Sequence, residues 1–138
     1  MKTKLEIIKE TAEFYNLSNR SFVPEKNNPN DGNCVYLTSD GKMCAVGRCM
    51  INPSQYLNKI EINVETLDQS TKGGLDTLLK EEYRGNGIGF WTDLQRLHDS
   101  SLYWTETGLS KSGQQYYDRL VERWVTDYKT HGDTLCNV

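Results

Sequence analysis

Cys34-Val35-Tyr36-Leu37-Thr38-Ser39-Asp40-Gly41-Lys42-Met43-Cys44-Ala45-Val46-Gly47-Arg48-Cys49-Met50 is the stretch on which the reading of the fold turns. Its first five residues are rich in β-branched and aromatic types, and Met43-Cys44-Ala45-Val46 forms a second short apolar run. Asp40-Gly41 lies between them. A tight primed turn needs positive φ, which Asp and Gly adopt at low cost, so the pattern predicts a β-hairpin. Gly47 breaks the second run and Arg48 follows it.

Outward from this ribbon the patterns are helical. Thr3 and Glu6 have capping-box spacing, and Leu5, Ile8, Ala12 and Tyr15 share one face, which predicts a helix over Lys4 to Tyr15. Leu17 to Asn33 reads as a loop, most of its second half turn-forming residues. Pro53 to Leu57 predicts a short helical turn. Ile60 to Thr66 alternates apolar and polar residues and reads as a strand. Leu75, Leu78 and Leu79 suggest a short amphipathic helix ending near Glu82. Phe90 to Asp99 should be helical, with Trp91, Leu94 and Leu97 inward. A last helix, from near Ser112 with Gln115 at capping distance, carries the stripe Tyr117, Leu120, Val121, Trp124 and Tyr128. His131 to Val138 reads as a loose tail. The expected fold is α+β: a small antiparallel sheet built on the hairpin, packed against three to four helices.

At 138 residues the chain suits one domain with one hydrophobic core. A net charge of −3 argues against a sequence-independent nucleic-acid binder, which carries a basic stripe. The start, Met1-Lys2-Thr3-Lys4, lacks an apolar leader, and no apolar run is long enough to span a bilayer. The expected compartment is the cytoplasm, where Cys34, Cys44, Cys49 and Cys136 stay reduced.

Four constellations carry chemistry. Cys44, His98 and Asp99 supply the residue types of a nucleophile, its base and an orienting carboxylate. The bland reading is a buried thiol and a helix C-terminal His. Cys34, Cys44 and Cys49 with His98 or Cys136 could ligate zinc, but the spacings match no common knuckle, and no metal or other cofactor is expected. The glycine-rich run Arg84-Gly85-Asn86-Gly87-Ile88-Gly89 would place bare amides at a helix N-terminus, an arrangement that favours phosphate. Finally, Tyr36, Arg48, Tyr83, Arg84, Trp91, His98, Tyr103 and Trp104 would together suit a nucleotide-like ligand: aromatic faces stack a base and guanidinium groups fork phosphates. The same residues would suit a protein interface, or an ordinary half-buried surface.

The run Arg84 to Gly89 resembles the R-G-x-G-I-G signature of the N-acetyltransferase superfamily. That resemblance implies coenzyme A held by the loop, although a strand should precede the loop and Leu75 to Glu82 reads as a helix. A longer resemblance links Cys34-Val35-Tyr36, Asp40-Gly41-x-x-Cys44-Ala45-Val46-Gly47-Arg48, Tyr83-Arg84-Gly85, Phe90-Trp91-x-x-Leu94-Gln95-x-Leu97-His98-Asp99, Tyr103-Trp104 and Gly108-Leu109-Ser110. In order and over most of the chain, these resemble a group of small uncharacterised proteins of bacteriophages and their hosts. It implies an accessory protein acting on host machinery or defence. The leading expectation is therefore a non-enzymatic protein that sequesters a small nucleotide-like host signal, with a homodimer as a candidate state. Binding to a host protein is second. An enzyme, acetyltransferase-like or a Cys–His hydrolase, is third.

Overall fold

In the computed structural model, which describes residues 1–24, 32–57 and 63–126, helix α1, Lys4–Phe14, starts at the capping box that the sequence predicts. The Thr3 side chain accepts from the Glu6 amide at 3.1 Å, and the Glu6 carboxylate accepts from the Thr3 amide at 3.1 Å. The buried face of α1 carries Ile7, Ile8 and Thr11, and Tyr15 just beyond it is also buried. Asn16 then opens a tight loop rather than another helical turn: its side chain accepts from the amides of Ser18 and Asn19.

The fold is α+β, as expected, but its strands are not those of the predicted ribbon. Strand β1, Phe22–Pro24, pairs antiparallel with β2, Gly32–Cys34, in the register Phe22 to Cys34 and Pro24 to Gly32. The Asp40-Gly41 turn does form. Thr38 N donates to Lys42 O at 2.8 Å, Gly41 N donates to Thr38 O at 3.0 Å, and Gly41 takes φ +87°. Among the described residues no ladder grows from it, and Leu37 makes only an isolated bridge to Leu57. Cys44, Ala45 and Val46 are all buried, so the run lacks the alternation that a half-exposed strand requires. Their neighbours instead close helical turns: Arg48 N donates to Cys44 O, and Cys49 N to Val46 O. Gly47–Cys49 is a single 3₁₀ turn, pressed against the Tyr36 carbonyl.

Pro53–Tyr56 is the predicted short turn, with Pro at its start. Of the strand expected over Ile60 to Thr66, positions 60–62 lie outside the described residues. The remainder is helical: α2 runs Val64–Ser70, and the Asn63 side chain caps it by accepting from Thr66 N at 2.7 Å. The helix expected over Leu75 to Glu82 is two 3₁₀ turns, Leu75–Leu78 and Glu81–Tyr83. Between them Leu79 is extended and bridges antiparallel to Met50.

Helix α3, Ile88–Asp99, buries Trp91, Leu94 and Leu97 as the spacing predicts, and Phe90 with them. Its C-terminus is closed by buried Arg20, which donates to the His98 carbonyl at 2.8 Å and the Asp99 carbonyl at 3.1 Å. A tight hairpin follows, β3 Trp104–Thr105 against β4 Gly108–Leu109. Helix α4, Lys111–Leu120, is capped by Ser110 rather than Ser112; Ser110 Oγ accepts from Gly113 N at 3.0 Å. It continues as a π-helical turn, Val121–Thr126. Tyr117, Leu120, Val121 and Trp124 pack on the core as expected, while Tyr128, the tail and Cys136 lie outside the described residues. No helix among the described residues is long and apolar enough to cross a membrane.

Candidate functional site

The eight residues expected to bind a ligand fall into different parts of the molecule. Trp91, Trp104, His98 and Tyr36 are in the core, each no more than 3 % exposed. Trp104 donates its Nε1–H to the Leu97 carbonyl at 2.8 Å, and its ring meets Tyr15 edge-on. Tyr36 packs against Tyr56, and burial pushes its hydroxyl far above the ordinary phenol range. Arg84 donates through Nε to the Leu79 carbonyl at 3.0 Å. Tyr103 is half-buried, stacked on Tyr116 with ring centroids 4.9 Å apart.

Arg48 and Tyr83 do meet, directly at 3.5 Å and through Glu10, which the sequence did not single out. Arg48 Nη1 lies 2.9 Å from Glu10 Oε1, and the Tyr83 hydroxyl donates to the same oxygen. Lys2 pairs with the other oxygen of Glu10. The Arg48 guanidinium also sits over the rings of Phe14 and Tyr83. Burial raises the Glu10 pKa, but hydrogen bonds from Lys2, Tyr83 and Arg48 outweigh it and hold the carboxyl below its usual range. This network ties α1 to the 3₁₀ turns Gly47–Cys49 and Glu81–Tyr83, with Glu10 as its shared carboxylate.

Cys44, His98 and Asp99 do not form a nucleophilic set. Burial pushes the Cys44 thiol up to about 12, and its sulfur accepts from Gly47 N at 3.2 Å. His98 Nδ1 lies 3.0 Å from Asp99 Oδ1, while its buried Nε2 has no hydrogen-bond partner among the described residues. Burial lowers the His98 pKa despite the carboxylate, so the ring is neutral and the contact is a hydrogen bond rather than an ion pair. The carboxylate then fixes the proton on Nδ1. No hydrogen bond joins Cys44 to His98. Among the described residues no group of three or more His, Cys, Asp or Glu side chains could hold a metal ion.

The glycine loop follows a 3₁₀ turn rather than the strand of an acetyltransferase, and two of its donors are used internally. Gly85 N donates to Asp76 Oδ2 at 3.0 Å, and Asn86 Nδ2 donates to the Tyr83 carbonyl at 2.9 Å. A carboxylate seated on the Gly85 amide opposes a second anion there.

A different place gathers cations. Between α3 and α4 lies an open cleft of about 590 Å³, within the size range of small-molecule sites. Its walls carry Arg96, Arg119 and Arg123, with Asp93 and Tyr116 between them and Leu120 at its base. Glu122 lies at the same cleft. Asp93 is 6 % exposed and organises the group. Its carboxylate lies 2.8 Å from Arg123 Nη1, 3.8 Å from Arg96 Nη1, and accepts from Trp124 Nε1 at 3.1 Å. The Tyr116 hydroxyl donates to the Asp93 carbonyl at 3.1 Å. The Arg119 guanidinium lies over the Tyr116 ring, 5.6 Å from its centroid, and that of Arg123 over the Trp124 ring at 5.1 Å. Ring backing restrains a guanidinium, which then presents a planar fork suited to phosphate or carboxylate. A smaller hollow of about 140 Å³ beside Met50 and Tyr56 has no charged side chain in its lining.

Of the predicted residues only Tyr103 borders this constellation. The signal for the rest was present in the sequence: Tyr116, Arg119 and Arg123 stand at i, i+3 and i+7 on the last helix, a polar stripe beside the apolar one. No family model, no curated protein and no solved structure matches this chain.

Proposed function

We propose that this protein binds a small phosphate-bearing, nucleotide-like molecule without transforming it, and that the ligand lies in the arginine-walled cleft between α3 and α4. The observation that carries this reading is the convergence of Arg96, Arg119 and Arg123 on one cleft. Against them stand the two carboxylates of Asp93 and Glu122, which leaves one net positive charge in a chain whose overall balance is −3. Guanidinium forks match phosphate oxygens in pairs, which gives orientation as well as attraction. Of the residues that could serve as a nucleophile with His98, the Cys44 thiol is held protonated in the core, which supports binding over catalysis through that thiol. In the setting implied by the bacteriophage resemblance, the protein is a cytoplasmic accessory factor and the ligand a host nucleotide signal withdrawn from its receptor.

The test is a thermal-shift and calorimetric titration with cyclic di-adenylate and with ADP-ribose. Binding should fall at least tenfold in Arg119→Ala and in Arg123→Ala, and the bound compound should be recovered chemically intact. Unchanged binding in both variants would remove the cleft from the reading. A consumed ligand would replace sequestration with catalysis. A co-purifying host protein without any small-molecule shift would favour a protein partner instead.

A further inference from the structure

Resting on the cleft reading just given, we infer that the ligand is recognised phosphate-first: the cleft grips a phosphoryl or pyrophosphoryl group and leaves the base largely unread. A base-reading site needs a bare aromatic face or a set of edge-directed donors and acceptors. The rings beside this cleft are already engaged. Tyr116 has Tyr103 stacked on it at an interplanar angle of 21° and has Arg119 over the same ring. Trp124 meets the Phe90 ring at 5.7 Å, carries Arg123 over its ring, and has its only polar hydrogen committed to Asp93. An arriving molecule therefore encounters guanidinium N–H groups, not open rings.

The three cations are also unequally committed, and this sets the order in which they act. Arg123 is held by Asp93 at 2.8 Å and Arg96 more loosely at 3.8 Å. Arg119 is exposed and rests on Tyr116. A phosphate that engages Arg119 first can share Arg123 with Asp93, because a guanidinium has five N–H donors and the carboxylate contact uses only part of that set. Asp93 is thus a positioning residue: it aims Arg123 and Arg96 across the cleft and itself faces no base. Recognition of this kind discriminates by phosphate charge and number, weakens with salt, and tolerates different bases.

Calorimetry with adenosine, AMP, ADP and guanosine diphosphate, followed by competition with inorganic pyrophosphate, tests this directly. Adenosine should give no heat of binding, and affinity should rise by at least tenfold from AMP to ADP. The two diphosphates should agree within about threefold, a difference below 1 kcal/mol. Pyrophosphate should displace ADP, and Arg119→Ala should abolish both, with Arg119→Lys restoring only part of the affinity because charge remains and the fork is lost. If ADP binds in an Arg119-dependent way but pyrophosphate fails to displace it, or adenosine binds nearly as well, phosphate-first recognition is wrong while the cleft reading stands. If none of these compounds binds, both fall together.

Discussion

Arg123 Nη1 lies 2.8 Å from Asp93 Oδ2, so the most tightly held cation of the cleft is restrained by a carboxylate that is itself nearly buried. That carboxylate both aims the guanidinium and competes with any incoming anion. Asp93→Asn keeps an acceptor for Trp124 and removes one negative charge. It should therefore strengthen pyrophosphate binding several-fold while lowering the melting temperature. Calorimetry read alongside thermal unfolding checks both halves, and weaker binding in a folded variant would contradict the competition.

The Glu10 carboxylate gives the fold an acid limb. Its unfolded pKa is near 4.5 and its folded value is lower, because hydrogen bonds from Lys2, Tyr83 and Arg48 outweigh the opposing effect of burial. The stabilisation is then complete above pH 4.5 and is lost as pH falls through the folded value. Glu10→Gln should flatten that part of the stability curve. At pH 7 it should cost about 1 kcal/mol, kept modest by the 22 % of the side chain that water still reaches.

His98 acts at higher pH. Burial lowers its pKa below 6.5 in the folded state, so the unfolded chain takes up the proton first. Its contribution is full above pH 6.5 and declines as pH falls below that value. Urea midpoints measured from pH 7.5 to 5.5 should drop in the native protein, and His98→Gln should remove that segment of the slope.

Gly47 admits no side chain. A Cβ there would stand 2.1 Å from the Tyr36 carbonyl oxygen, a backbone atom that cannot rotate away. Gly47→Ala should destabilise the protein by about 1–3 kcal/mol in denaturant titrations. Gly41→Ala is the informative contrast: nothing lies within 4 Å, and only the φ of +87° is strained, so about 1 kcal/mol is expected.

The Cys44 thiol, pushed up to about 12 by burial, should resist alkylation. Iodoacetamide at pH 8 should leave it unmodified in the native state and label it fully in urea. Rapid native labelling of Cys44 would reopen the hydrolase reading set aside above.

What could be read from sequence divides along physical lines. The capping box of Thr3 and Glu6 and the inward stripe of α3 were legible because they are local: each depends on residues three or four apart. The Asp40-Gly41 turn was legible for the same reason. The ladder expected beyond it was not, because whether Cys44 to Val46 pairs as a strand or coils into turns depends on burial from all sides. Leu75 to Leu79 misled similarly, since the Met50 bridge that pulls Leu79 straight lies far away in sequence. At the site, Arg, Tyr and Trp were the right residue types. Their grouping failed because Trp91, Trp104 and Tyr36 carry as much apolar area as polar function, and the core took them. Arg96, Arg119 and Arg123 come together only through the packing of α3 against α4 around Asp93.

The placement of the three tryptophans has an optical consequence. Trp91 and Trp104 are sealed in the interior, at 1 % and 3 % exposure, and neither borders the cleft. Trp124 is half-buried, bonded to Asp93 and covered by Arg123. Collisional quenchers will reach that indole in preference to the other two, and any occupant that draws Arg123 aside will alter its emission. The chain thus carries an intrinsic fluorophore in contact with two of the residues that wall its cleft, Asp93 and Arg123, and occupancy can be followed without attaching a dye.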